Sequence, residues 1–392
     1  MNVIGIRRED KNKWERRVPL TPVQVQALLE KQDMRILVQP SPIRALSEDD
    51  YIAAGAIVQE DLSEADVIVA VKEVPIELLQ AGKTCLFFSH TIKGQAYNMP
   101  LLRRLMELEC QLIDYERIVD ARNRRLIAFG EYAGLAGMVD TLTALGQRLE
   151  WEGIAMPFSD LQQTYTYKDL RAAQQAVSLV GKRITEEGLP QQLSPLVIGI
   201  AGYGNVSRGA QAILDLLPIR EISPAELAAL SSGDNRDTHH VYKVVFREED
   251  TVKPVDQRNS FNLQEFYKHP DRYRSRFQDY LPYLTALVNC IYWDTPYPRL
   301  VSKEVTRDLY RRHLQPRLRV IGDISCDIEG GIEPTLKATD LDNPVFVWDP
   351  QTDTALDGVA GRGPVIMAVD NLPCELPKES SAAFGEALSP FI

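Results

Sequence analysis

Two basic side chains stand where apolar runs end. Lys72 falls near the end of "ADVIVAVKEV" (65–74) and His90 closes "TCLFFSH" (84–90). Such runs predict strands, and in an open α/β sheet ligands bind beyond the carboxyl ends of strands. An ammonium partly withdrawn from water releases its proton more readily, and an imidazole already titrates near neutrality. The pair therefore suits general acid–base work on a substrate. A lone strand-end Lys is ordinarily solvated and a lone His ordinarily structural; two at successive ends are more telling. Glu73 and Glu116 come near comparable ends, where carboxylates could hold the basic pair's pKa values or carry protons themselves. Arg16 and Arg17 precede "VPLTP", and either could grip a carboxylate through its planar fork. The rest of "RREDKNKWERR" (7–17) is expected to be solvated.

A second constellation lies in "VIGIAGYGNVSRGA" (197–210), where an apolar run meets Gly202-x-Gly204 and then a helix-forming stretch. Gly202 suits a tight turn, and Gly204 lets the backbone approach a pyrophosphate. Asn205, Val206 and Ser207 open the helix whose amides and dipole would face the phosphates. Ser207 holds the usual third glycine position, and Gly209 comes later. The bland alternative is a tight strand-to-helix turn, but the strand–loop–helix context favours dinucleotide binding. The usual acidic ribose partner at the end of the second strand is not evident at about the 20-residue spacing; "SPAELAALSSGDNRDTHH" (223–240) reads as an insertion. The next strand, "VYKVVF" (241–246), is followed by Arg247 and Glu248. A guanidinium there could pair with a 2′-phosphate, which favours NADP(H), or be an ordinary surface Arg. Glu248 could instead take a ribose hydroxyl, which leaves NAD(H) possible. "IGDISCDIEGGIEP" (321–334) ends a further strand with Asp323 and Asp327, placed to close over a nicotinamide. A cation site from Asp323, Asp327 and Glu329 fits no calcium-loop spacing.

Positioning these residues requires strands and helices in alternation. Strands are predicted at 3–9, 34–40, 65–74, 84–90 and 110–116, with helices at 21–31 and 98–109 and an N-cap at Ser47. That alternation predicts a parallel sheet covered on both faces. "EYAGLAGMVDTLTALGQRLE" (131–150) reads as one long helix linking two domains. A second alternating set follows, with strands at 194–201, 241–246, 287–293 and 319–325, and a strand, loop and helix over 364–392.

The totals exclude several classes. The 392 residues carry a net charge of −11, which argues against nucleic acid or an anionic membrane as the main partner. The five cysteines are dispersed with no C-x-x-C pair, and no His/Cys cluster predicts zinc; reduced thiols point to a cytoplasmic protein. The first residues lack the apolar core of a signal peptide, and no window suggests a transmembrane helix.

The segments "IGIRREDKNKWERRVPLTP", "ADVIVAVKEVP", "FFSHTIKGQAYNMPLL", "AFGEYAGLAGMVD", "GYGNVSRGAQ", "DISCDIEGGIE" and "AVDNLPCELPKESSAAFG" together resemble the lysine–2-oxoglutarate reductase half of the bifunctional aminoadipic semialdehyde synthases. More distantly, the chain is similar to lysine-forming saccharopine dehydrogenases, alanine dehydrogenase and the transhydrogenase α subunit. The resemblance implies an α/β fold of two Rossmann-like domains with parallel sheets and an interdomain cleft. It implies a substrate domain of residues 1–135 plus 335–392 and a dinucleotide domain of 136–334. It also implies NADPH-dependent condensation of L-lysine with 2-oxoglutarate to saccharopine, or the reverse. Lys72 and His90 match the family's catalytic pair, and Glu73 and Glu116 match acids beside it. Arg17 matches a substrate-carboxylate ligand, Asp327 a residue on the nicotinamide side, and Gly202 and Gly204 the dinucleotide loop. The saccharopine-oxidising half has no counterpart in these residues, so a separate glutamate-forming enzyme is expected to act next. The alternatives are another amino-acid or opine dehydrogenase, using ammonia or ornithine, or a silent nucleotide-binding subunit.

Overall fold

The computed structural model describes residues 2–232, 237–313 and 315–392, so part of the expected insertion at 223–240 lies outside it. The chain divides into two compact units, Met1–Phe129 with Leu376–Ile392, and Gly130–Glu375.

In the first unit, β1 (Asn2–Ile6), β2 (Met34–Val38), β3 (Ile57–Val58), β4 (Val67–Val69), β5 (Thr84–Phe87) and β6 (Gln111–Asp114) form one sheet in the order β3-β2-β1-β4-β5-β6. Every pairing in it is parallel. The central strands are nearly unbroken apolar runs because both faces are covered. Ile6, Leu37, Val38, Val69 and Phe87 are all fully buried. The helix α1 (Pro22–Lys31) starts where Thr21 and Gln24 form a capping box with Pro22 in the first turn, and it buries Val25 and Leu28. At α2 (Glu48–Ala53) the Ser47 hydroxyl accepts the Asp50 amide at 3.2 Å, and three acids complement the dipole. The helix α3 (Met99–Glu107) packs Leu101 and Leu105 inward. The segment from Leu376 brings a helix, Pro377–Leu388, whose Phe384 stacks on Phe129 with centroids 4.7 Å apart.

The second unit opens with α4 (Gly130–Trp151), a helix with Gly134, Gly137 and Gly146 among its buried residues, then α5 (Leu170–Glu187), capped by Asp169 through the Ala172 amide at 2.8 Å. After these come β7 (Leu196–Ala201), α6 (Asn205–Leu214), β8 (Ile219–Glu221), α7 (Leu227–Ser232), β9 (Val241–Phe246), α8 (Glu248–Thr251), β10 (Val252–Pro254), α9 (Leu263–Lys268) and β11 (Tyr273–Ser275). The unit ends with β12 (Ala286–Asn289), α10 (Lys303–Arg312), β13 (Val320–Asp323), β14 (Val345–Asp349), β15 (Thr354–Asp357) and β16 (Val365–Met367). The helix from Pro377 is α11. The large sheet runs β15-β14-β16-β13-β12-β7-β9-β8. It is parallel except at one edge, where β14 runs antiparallel to both β15 and β16.

That edge moves a boundary. Residues 335–375 were expected with the first unit. Instead β16 pairs in parallel with β13, and buried Phe346, Trp348 and Ile366 join the second core, so the return to the first unit begins at Leu376.

Candidate active site

In the first sheet β1 lies between β2 and β4, so the order reverses beside β1, and the crevice for a ligand opens there. Both basic residues follow strands at that edge. Lys72 comes just after β4, half-buried, on a backbone fixed by Glu9: the carboxylate accepts the Val71 amide at 2.6 Å and the Lys72 amide at 3.0 Å. Burial, reinforced by the Glu15 charge, pushes the Glu9 carboxyl up to about 7. Beneath the two strand ends the Tyr115 hydroxyl donates to the Ala70 and Leu86 carbonyls at 2.9 and 3.1 Å.

His90 sits just beyond β5 with φ 54°, a left-handed conformation that costs a non-glycine residue energy and marks a functional candidate. Asp114 sets the turn: it accepts the Ser89 amide at 3.2 Å and the Ser89 hydroxyl through one oxygen, and the Glu116 amide at 2.8 Å through the other. The His90 Nδ1 then lies 3.3 Å from Glu116 Oε2, close but not aligned as a hydrogen bond. Glu116 is buried, and its other oxygen takes Arg125 at 2.7 Å. Burial and then the Lys93 charge lower the His90 pKa, against the pull of Glu116 and Glu73. The imidazole is thus neutral at physiological pH and can accept a proton.

The other expected residues divide. Glu73 turns to Lys11, 3.2 Å away. Arg17 is buried, its fork laid on Glu15 at 2.7 and 2.6 Å and its guanidinium 4.2 Å from the centre of the Phe129 ring. The stretch 7–17 is mostly solvated as expected, with Asp10, Lys11, Asn12, Lys13 and Arg16 exposed, but Arg7, Glu9 and Glu15, with Arg17, are at least nine-tenths buried. These residues are held by partners distant in sequence or by each other, which local polarity does not reveal.

In the second unit the loop after β7 borders a cavity of roughly 630 Å³, lined among others by Gly202, Gly204, Arg247, Glu248, Asn289 and Ile291. Gly202 has φ 96°, a conformation reserved for glycine, and a Cβ on Gly204 would meet nothing within 4 Å. The loop therefore leaves open space before the amides that begin α6, which fits a pyrophosphate. Arg247 and Glu248 follow β9, which neighbours β7, and both line the same cavity. Ser207 is fully buried and accepts the Gln211 amide at 3.0 Å, so it packs rather than faces the cavity. Asn205 accepts Arg208 at 2.6 Å, and Val206 is half-buried beside it. Gly209 serves the helix seam: a Cβ there would stand 2.0 Å from the Glu131 carbonyl of α4. Asp327 is exposed in the turn after β13, and its carbonyl accepts the Gly330 amide at 2.9 Å. The buried acid of that strand end is Asp323, which accepts Asn289 at 2.9 Å and Thr335 at 2.7 Å and is raised to about 6 by burial. Among the described residues no His, Cys, Asp or Glu group is arranged to hold a metal, and no helix is long and apolar enough to cross a membrane.

Residues 5–136 match the family described as alanine dehydrogenase/PNT, N-terminal domain. Over its whole length the chain is 40% identical to alpha-aminoadipic semialdehyde synthase of Arabidopsis thaliana and covers 38% of that protein. It is 38% identical to the mitochondrial alpha-aminoadipic semialdehyde synthase of Mus musculus, again over 100% of this chain and 43% of that one. The chain thus spans about two fifths of these relatives' length. A saccharopine dehydrogenase [NAD(+), L-lysine-forming] of Yarrowia lipolytica is 26% identical over 96% of this chain and 88% of its own. Among solved structures an L-alanine dehydrogenase aligns with TM-score 0.61 at 18% identity, over 99% of this chain and 88% of that one. A transhydrogenase from Sinorhizobium meliloti aligns at 0.59 and 15%, over 100% and 92%. These two establish the fold, an α/β arrangement of two Rossmann-like units.

Sequence reasoning missed Glu9, Arg125 and the buried role of Glu15. The only local signal for Glu9 was an acid just past the end of the first strand.

Proposed function

We propose that the chain condenses L-lysine with 2-oxoglutarate and reduces the product to saccharopine, reversibly, as the first step of lysine breakdown by this route. What carries the reading is the whole-length similarity to the semialdehyde synthases, held by a chain whose Lys72 and His90 stand at one sheet's carboxyl edge. The balance is L-lysine plus 2-oxoglutarate plus NAD(P)H and a proton, giving saccharopine, water and NAD(P)⁺.

The lysine ε-amine must lose a proton before it attacks the keto carbon. A neutral His90, beside buried Glu116, is able to take it. Water then leaves the carbinolamine with a proton delivered by the same group or by Lys72. The nicotinamide supplies the hydride that reduces the imine carbon. Glu9 and Asp114 fix the turns that carry Lys72 and His90, and Glu73 adds negative charge nearby. The resemblance assigns Arg17, here paired with Glu15, to a substrate carboxylate, and Asp327, in the turn after β13, to the nicotinamide. Gly202, Gly204 and the first residues of α6 would hold the pyrophosphate. Arg247 supports NADP(H); NAD(H) remains the second choice, in keeping with the fungal relative's name. A separate glutamate-forming dehydrogenase would consume the saccharopine. A cytoplasmic site is proposed from the dispersed free cysteines.

The test follows loss of reduced-nicotinamide absorbance with 2-oxoglutarate and lysine, ornithine or ammonia, and with pyruvate and ammonia. Turnover with lysine alone and a product of saccharopine mass is expected. Turnover with pyruvate and ammonia would overturn the reading in favour of an alanine dehydrogenase.

A further inference from the structure

We propose that Tyr203 and Tyr267 set nucleotide choice by occupying the Glu248 carboxylate, leaving Arg247 to meet the 2′ position of the bound dinucleotide. The inference rests on the dinucleotide reading above and deepens it.

Both phenols donate to one oxygen, Glu248 Oε1, from 3.2 Å for Tyr203 and 2.6 Å for Tyr267. Tyr203 is the middle residue of Gly202-x-Gly204, and Tyr267 comes from α9 in the segment that separates β9 from β12. That segment has its own small core of Val252, Phe266 and Tyr273, with Phe266 also 5.4 Å from the Tyr297 ring, and it presents Tyr267 to the cavity. The Arg247 guanidinium lies 4.9 Å from the centre of the Tyr203 ring and makes no ion pair among the described residues. Glu248 therefore spends acceptor capacity on the protein, while Arg247 lies over an aromatic face with donors to spend on a ligand.

The chemistry at the 2′ position follows. A free carboxylate accepts from the ribose hydroxyl of NADH and repels the phosphate of NADPH. A carboxylate already bound by two phenols does less of both. An Arg fork pairs with a phosphate far better than with a hydroxyl. Burial, and then Glu248, raises the pKa of both tyrosines, so both remain donors at neutral pH.

The experiment titrates NADPH and NADH into the full chain by nicotinamide fluorescence, for wild type, Tyr267→Phe, Glu248→Gln and the double variant. Tyr267→Phe should lower the NADPH-to-NADH affinity ratio about tenfold, the scale of one charge-assisted hydrogen bond. Glu248→Gln should raise the ratio, and in that background Tyr267→Phe should change it by less than about twofold. A ratio unmoved by Tyr267→Phe, or unmoved by Glu248→Gln, overturns the proposal. Wild type that binds neither nucleotide while folded overturns the dinucleotide reading itself.

Discussion

His90 Nδ1 stands 3.3 Å from Glu116 Oε2, and Arg125 takes the other Glu116 oxygen at 2.7 Å. The carboxylate is buried and anchored, so the imidazole has a fixed negative neighbour. Burial and Lys93 lower the His90 pKa, and Glu116 resists them. Glu116→Gln should therefore move the His90 titration to still lower pH. The acidic limb of the pH–rate profile should shift the same way, read beside an NMR titration of the ring. A shift to higher pH would remove Glu116 from this role.

Replacing the bases separates chemistry from binding. His90→Gln and Lys72→Met should each lower turnover about 10²- to 10⁴-fold, the range of a lost acid–base group. Nucleotide affinity, measured by fluorescence titration, should stay within about threefold, because the glycine loop belongs to the other unit. Variants with undiminished rates would unseat the pair.

Arg17 and Glu15 form a fully buried bidentate pair. Arg17→Met would leave the Glu15 charge buried without its fork, at a cost of about 3–5 kcal/mol. Chemical denaturation of the variant should show that loss in the transition of the first unit. A stability within about 0.5 kcal/mol of wild type would mean the pair is replaceable.

Asp140 on α4 and Glu375 are both buried and hydrogen-bond side chain to side chain, Glu375 as the donor. Thr164 donates its amide and hydroxyl to Asp140 at 2.8 Å each, and the Tyr165 amide donates to Glu375 at 3.1 Å. Burial, and then the Asp140 charge, raises Glu375 well above its usual range, so it stays protonated at neutral pH. A carboxyl raised by folding contributes stability fully below its unfolded pKa and loses it as pH rises through the folded pKa. Stability should fall by about 1.4 kcal/mol for each pH unit between the unfolded pKa and the raised folded pKa, and level off above it. Glu375→Gln keeps a donor for Asp140 and cannot ionise, so its denaturation midpoint should stay flat where wild type declines. An equal decline in both would assign the alkaline loss elsewhere.

Much of this was readable from the chain. The strand 241–246 was legible to the residue because Val, Tyr and Phe leave no other reading for a buried central strand. The glycine loop was legible because only glycine serves at Gly202. The edge pair β14 and β15 was not, since "DPQTDTALD" looks like a surface loop, and its pairing is decided by β16 further on. Glu9 was not, because its partners Val71 and Lys72 lie more than 60 residues away. Tyr267 was hidden for the same reason: its hydroxyl finds Glu248 across a 19-residue separation whose path only the folded segment defines.

The second unit is one unbroken stretch of chain, while the first is closed by residues 376–392, whose Phe384 packs on Phe88, Tyr115 and Phe129. Synthesis on the ribosome therefore reverses the usual order. The unit that begins first cannot finish its core until α11 has been made, whereas the second unit can mature as soon as residue 375 emerges. Until then the apolar face awaiting Phe384 is open to misassociation. A stop placed directly after residue 375 would thus spare the later-begun fold and ruin the earlier-begun one.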